Sequence, residues 1–310
     1  MRTRRQRSSS DPVMQSHRPV LLHESLENLA IEPDDVVLDA TLGGAGHAQE
    51  IVKRLGANGM FIGIDADKDA IARAEEALKG AAAKVILIHG NFRDIESHLG
   101  KHEIQHVTKA LFDLGWSSFQ LAAGRGFSFL KDEPLLMTYA DSTQANTLTA
   151  GTIVNSWAEE SIAAVIYGWG EERYSRQIAR GIVEARERKP IQSSHELAEI
   201  IKNSVPPMYR RGRIHPATKT FQAIRIAAND EMGALKQGLR GVWNALKPNG
   251  RLAMISFHSV EDREVKRFML ERAQADEGER ITKSPIRPSR EEVLENPRSR
   301  SAKLRVIRKL

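Results

Sequence analysis

Four short stretches hold side chains whose types and spacing can do chemistry. "DATLGGAGHA" (39–48) closes an apolar run, turns through glycine and leads into helical spacing. "IDAD" (64–67) ends a second apolar run and puts Asp65 nineteen positions beyond Gly46. "GNF" (90–92) and "FDLGW" (112–116) close two more runs and offer Phe92 and Asp113. A glycine turn between strand and helix lets backbone approach a ligand and aims a helix N-terminus at it. An acid at the end of the next strand can accept both hydroxyls of a ribose. The pattern therefore asks for a cofactor that carries a nucleoside.

A dinucleotide fingerprint, G-x-G-x-x-G/A, fails at its third position, where counting from Gly44 and Gly46 gives Gln49. No G-K-[ST] follows a glycine run, so the turn lacks the marks of a phosphate cradle. S-adenosylmethionine has no phosphate and fits better. Its carboxylate suits the helix start near Gly46 and His47, its ribose suits Asp65, and its adenine suits the ring of Phe92. Asp113 then stands at the strand end nearest the methyl group. A NAD-dependent oxidoreductase places an acid similarly and stays open on the turn and Asp65 alone.

The elements that must position these residues alternate strand and helix. Apolar runs at 36–40, 59–67, 84–92 and 107–116 read as strands, with Ala48, Ile51, Val52 and Leu55 forming one helix face between the first two. Alternation of this kind predicts a parallel sheet with helices on both faces, an α/β Rossmann-like fold. From 117 to 215 no strong buried strand follows. Ser156–Glu159 and Ser193–Glu196 have capping-box spacing, and Tyr174, Ile178, Ile182 and Ala185 line a helix studded with arginines. A Pro-Asn-Gly turn then leads into a strand at 251–258, and "SAKLRVIRKL" predicts a final edge strand.

Bulk properties narrow the chemistry. The 310 residues contain no cysteine, which closes every cysteine-nucleophile route, including covalent methylation at carbon 5 of a pyrimidine. A nitrogen target with its own lone pair needs no such adduct. No metal-ligand spacing stands out, and no window has the length of a membrane span. The net charge of +6 is uneven: 1–10, 171–220 and 283–310 carry +4, +5 and +6, leaving about −9 elsewhere. Separated charge suggests a polyanionic partner, with Arg210, Arg211 and Arg213 of "YRRGR" as candidate phosphate contacts.

"SHRPVLLHESLENL", "DATLGGAGHA", "GNFRD", "DLGWSSFQL", "YGWGEERYSRQIARGIVEAR", "IHPATKTFQAIRIAANDE", "FHSVEDREVK" and "NPRSRSAKLRVI" occur in order from about residue 16 to 310. Together they resemble the ribosomal RNA small-subunit methyltransferase H family. The resemblance implies a class I methyltransferase sheet with an inserted helical domain. It implies S-adenosylmethionine-dependent methylation of the exocyclic N4 of a decoding-centre cytosine in 16S rRNA, in the cytoplasm and with the small ribosomal subunit as partner. On matching positions, Ala45, Gly46, His47, Asp65, Phe92, Asp113 and Gln120 would contact the cofactor. Residues 16–142 and 215–310 would form the catalytic domain, 143–214 a helical substrate-recognition insertion, and 1–15 a disordered basic tail. Trp116 and Phe127 are candidates to stack on a flipped base. Ala45 replaces a usual glycine, and Leu136, Thr138 and Ala140 stand where the family usually has Asp, Arg and Asp. Those changes leave a second reading open, a member that binds rRNA or cofactor without catalysis. The sequence leaves the oligomeric state open.

Overall fold

The computed structural model describes residues 18–115, 124–139 and 147–310. The expected contacts of Trp116 and Gln120, the 1–15 tail and Ala140 lie outside them. After a first helix, α1 (Leu22–Leu29), the chain alternates as expected: β1 (Val36–Asp39), α2 (Gly46–Val52), β2 (Met60–Asp65), α3 (Lys68–Ala77), β3 (Lys84–His89), α4 (Ile95–Lys101) and β4 (Val107–Asp113). A helical stretch follows with α5 (Ala150–Ser156), α6 (Glu159–Gly170), α7 (Ser175–Arg188), α8 (Ser194–Asn203), the single turn α9 (Pro207–Arg210) and α10 (Ala217–Asn229). The sheet is completed by α11 (Glu231–Ala245), β5 (Leu246–Ser256), α12 (Ser259–Gln274), β6 (Gly278–Arg280), α13 (Arg290–Glu295) and β7 (Lys303–Lys309).

The seven strands run in the order β3-β2-β1-β4-β5-β7-β6. The first five are parallel, and β7 pairs antiparallel with both β5 and β6. The last long strand is thus not an edge, contrary to the sequence expectation. The edge is the three-residue β6, whose "GER" is too short and polar to show a strand period. An antiparallel β7 slotted between β5 and β6 also separates this sheet from the dinucleotide-binding order 3-2-1-4-5-6.

Alternate strand residues serve opposite faces. Val37, Phe61, Leu111 and Ala253 join α1 and α2 in one core, while Leu38, Ile62, Phe112 and Met254 pack with Leu235, Leu239 and Val242 of α11 in another. The strand expected at 251 begins at Leu246. Leu246 pairs with Val107 and Arg251 with Lys109, so Pro248-Asn249-Gly250 bulges between them, with Asn249 at φ 63°.

A third core holds the helices together: Ile153, Ile166, Ile178, Ile182, Leu197 and Ile201 meet Phe127, Leu135 and Met137 from before it and Phe221 and Ile224 from after it. This core reaches past the 143 and 214 limits on both sides. α10 is the shared wall, because its Ile226 belongs to the sheet core and its Phe221 to the helical one. Of the two expected capping boxes, Ser193 does accept the N–H of Glu196. Ser156 instead closes α5, and α6 starts at Glu159 behind Ala158, which offers no side-chain cap.

Candidate active site

The carboxyl ends of β1, β2, β4 and β5 bring the candidate residues together, the edge at which parallel α/β sheets place their ligands. The turn after β1 is pinned from three sides. Asp39 Oδ1 accepts the N–H of Thr41 at 3.1 Å, Thr41 Oγ1 accepts that of Asp113 at 2.6 Å, and Asp65 Oδ2 accepts that of Gly43 at 2.8 Å. Gly43 has φ 52°, where a side chain would strain the backbone. Ala45 also adopts a left-handed conformation, φ 59° and ψ 16°, at the N-cap of α2. The position thus does require positive φ, and alanine there costs about 1 kcal/mol in backbone strain. Its methyl group is fully buried in the α2 core, which offsets part of that cost.

His47 is not a simple helix-start cap. Its buried ring reaches out of α2, with Nε2 3.1 Å from the Val20 carbonyl and Nδ1 3.6 Å from Asp113 Oδ2. Nε2 facing a carbonyl makes it the protonated nitrogen, donating to Val20, and leaves the Nδ1 lone pair toward Asp113. Burial holds the imidazole pKa below its ordinary value, opposed by the nearby Asp39 charge. Burial likewise raises Asp39 to about 6 and Asp113 to about 7, the latter opposed by the Gly115 N–H and helped by the charge of Glu261. Asp65 is raised too, by burial first. A neutral histidine therefore sits beside acids that hold protons at unusually high pH.

Asp65 Oδ1 accepts from the Asp67 N–H at 2.9 Å, so each of its oxygens is fixed by one backbone donor and keeps a lone pair. Phe92 is only partly buried; its ring lies edge-on to Phe112 at 5.6 Å and against Gly238 of α11. Phe127 is not available to stack on a base. It is buried in the helical core and stacks on Tyr139, with ring centres 5.5 Å apart.

Sequence reasoning missed a polar network beside Asp113. Arg225, 3% exposed, makes a bidentate pair with Glu231 at 2.7 and 2.8 Å, and the Tyr139 hydroxyl donates to Glu231 at 3.0 Å. His258 caps α12: its Nδ1 accepts the Glu261 N–H, and Glu261 Oε2 accepts the N–H groups of Phe257 and His258. The signal lay in "FHSVED", where Glu261 follows His258 at capping-box spacing. Ser259 donates to Glu171 of the helical layer at 2.6 Å, and Asp262 pairs with Lys303 and Arg305 of β7. Arg210, Arg211 and Arg213 are exposed beyond α8, with Arg210 bonded to the carbonyls of Val205 and Asn203.

Comparison with known proteins matches residues 14–310 to the MraW methylase family. The chain belongs to that family. It is 46% identical over 297 residues to the ribosomal RNA small subunit methyltransferase H of Persephonella marina, covering 96% of this chain and 100% of that one. The protein of the same name from Deinococcus radiodurans is 47% identical over 300 residues, covering 96% and 91%. The Symbiobacterium thermophilum protein is 44% identical over 310 residues, covering 95% and 96%. This chain is a methyltransferase with S-adenosylmethionine as its cofactor. No helix among its described residues is long and apolar enough to cross a membrane.

The residues present suit that cofactor better than a dinucleotide. Asp39, Asp65, Asp67 and Asp113 gather acids around the turn, a poor setting for a pyrophosphate and a good one for a sulfonium and an ammonium. Asp113 Oδ1 is buried without a hydrogen-bond partner among the described residues, as expected of an atom that meets a ligand.

Proposed function

We propose that this methyltransferase modifies the exocyclic N4 of a decoding-centre cytosine in 16S rRNA, within the small ribosomal subunit. The observation that carries the reading is the buried Asp113 Oδ1 at the end of β4, next to the glycine turn and without a hydrogen-bond partner among the described residues. In this reading Ala45, Gly46 and His47 line the cofactor's amino-acid end, Asp65 takes its ribose hydroxyls, and Phe92 borders its adenine. When bound, S-adenosylmethionine supplies a sulfonium methyl that passes to a nucleophilic nitrogen as its C–S bond breaks toward sulfur.

The residues of the chain address the weak point of that chemistry. Cytosine N4 is a poor nucleophile because its lone pair is delocalised into the ring. Asp113 Oδ1 accepts an N4–H, which favours a more tetrahedral nitrogen, and the turn fixes the alignment. A methylated N4 is acidic, so a carboxylate with a pKa raised to about 7 is basic enough to take its proton and pass it to solvent. Without a cysteine, the chain has no route through a covalent base adduct. The helical layer, with 143–214 at its centre, and exposed Arg210, Arg211 and Arg213 supply phosphate contacts that position the rRNA.

The test is nucleoside mass spectrometry of 16S rRNA from cells with and without the gene. N4-methylated cytidine present only with the gene supports the reading. Its presence in both, or a methyl group on another atom, rejects it.

A further inference from the structure

Asp113 Oδ1 is matched by a second polar atom in the same state, His258 Nε2, also buried and without a hydrogen-bond partner among the described residues. Asp113 ends β4, and His258 stands two residues past the end of neighbouring β5. Leu114 donates to the Ile255 carbonyl at 3.0 Å, so the chain leaves β4 and β5 side by side. Glu261 connects them: its Oε1 lies 3.0 Å from His258 Nε2, out of line for a hydrogen bond, and its charge acts on Asp113.

The tautomer of His258 follows from its role as a cap. Nδ1 accepts the Glu261 N–H at 3.3 Å, so it carries no proton, and in the neutral ring the proton sits on Nε2. An acceptor, Asp113 Oδ1, and a donor, His258 Nε2–H, thus follow the ends of adjacent strands. Cytosine presents the complement on its Watson–Crick edge, an N4–H donor beside the N3 acceptor. Uracil presents the reverse, an O4 acceptor beside an N3–H donor.

We propose that His258 determines base specificity: its Nε2–H donates to N3 of the target cytosine while Asp113 Oδ1 accepts from N4. The assignment rests on the N4-cytosine reading and adds the group that rejects uracil. Glu231, His258 and Glu261 also bring ligand atoms within 4.8 Å of one another, the layout of a divalent-cation site. Two features oppose a cation: the lone pair of His258 is spent on the cap, and Glu231 is already neutralised by Arg225.

The test compares affinity for small subunits carrying cytosine or, by rRNA mutation, uracil at the target position. Cofactor-free wild-type protein prefers cytosine by roughly tenfold or more. His258→Asn keeps an acceptor for the α12 N-cap but shortens the reach of the donor. It is expected to hold Tm, lose the preference, and cut kcat/KM on cytosine subunits by roughly tenfold. A preserved preference with normal kcat/KM overturns the proposal. If His258→Asn lowers Tm, wild-type protein alone decides, on an rRNA fragment carrying 3-deazacytidine, which lacks the N3 acceptor. Weaker binding than to the cytidine fragment supports the proposal, and equal binding overturns it. A Zn²⁺- or Mn²⁺-dependent rise in Tm that His258→Asn abolishes also overturns it, in favour of a metal. If wild-type protein makes no N4-methylcytidine, the function reading fails; if it does and His258→Asn matches it, only the role of His258 fails.

Discussion

The turn at the carboxyl ends of the strands and the helical layer beside it solve different physical problems. At the turn, polar groups are buried and held by fixed partners: Asp39 on Thr41, Thr41 on Asp113, Asp65 on Gly43, His47 on Val20. In the helical layer the interior is mostly aliphatic, with a few buried polar groups such as Glu172 and Ser194 tied to neighbouring backbone. The contrast teaches where specificity of geometry is needed. A small cofactor and one reacting atom require groups placed within a fraction of an ångström, whereas a polyanion is met by charge with loose positional demands.

The sharpest way to break the comparison is Asp113→Asn. If the strand-end site works by placement of a hydrogen-bond acceptor, the amide lowers kcat by about 100-fold or more. Calorimetric affinity for S-adenosylhomocysteine should stay within about threefold. Unchanged turnover would put the acceptor elsewhere.

Next in size is the junction between the two regions. Arg225→Met leaves the partly buried Glu231 without its guanidinium partner, an expected loss of about 3 kcal/mol, read as a lower Tm and urea midpoint. A loss below about 1 kcal/mol would show that the pair is not what joins the sheet to the helices.

The helical side is sharpened by replacing Arg210, Arg211 and Arg213 with alanine. The slope of log affinity for rRNA against log salt should fall by about 2–3, with cofactor affinity unchanged. Arg210 contributes least, because it already bonds two carbonyls. An unchanged slope would move the phosphate contacts to other helices.

These two regions were unequally legible in the sequence. The glycine turn, Asp65 and Asp113 could be found because each ends an apolar run at a spacing that a βαβ unit imposes. The parallel strands were found for the same reason. What escaped notice depended on distant partners. Glu231, Arg225 and Tyr139 meet only because α10 and α11 turn back over the loop at 124–139, and no local period encodes that. β6 was too short to register, and Phe127 looked like a base-stacking ring because sequence cannot show that Tyr139 and the helical core already cover it. His258 was visible beside a strand end, but its tautomer required the hydrogen bond from Glu261.

A smaller effect separates the buried acids from ordinary ones. The carboxyl of Asp113 is raised from 3.8 to about 7 by burial, among His47, Asp39 and Glu261. Folding therefore takes up a proton between those values, so stability is fully present below the ordinary carboxylate range and is lost as pH rises toward 7. Asp113→Asn should raise Tm at pH 8 by about 3 °C or more and change it little at pH 4. Equal effects at both would mean that the acid is not buried as a charge. Smallest of all is Ala45→Gly, where relief of backbone strain and loss of a buried methyl nearly cancel; stability should move by less than about 1 kcal/mol.

The most direct test of the central claim is a crystal structure with S-adenosylhomocysteine. The account predicts its ribose hydroxyls on Asp65, its amino-acid end against Gly46 and His47, and its sulfur directed toward Asp113. A ligand seated elsewhere, or one that leaves Asp65 untouched and turns its sulfur away from Asp113, would contradict it.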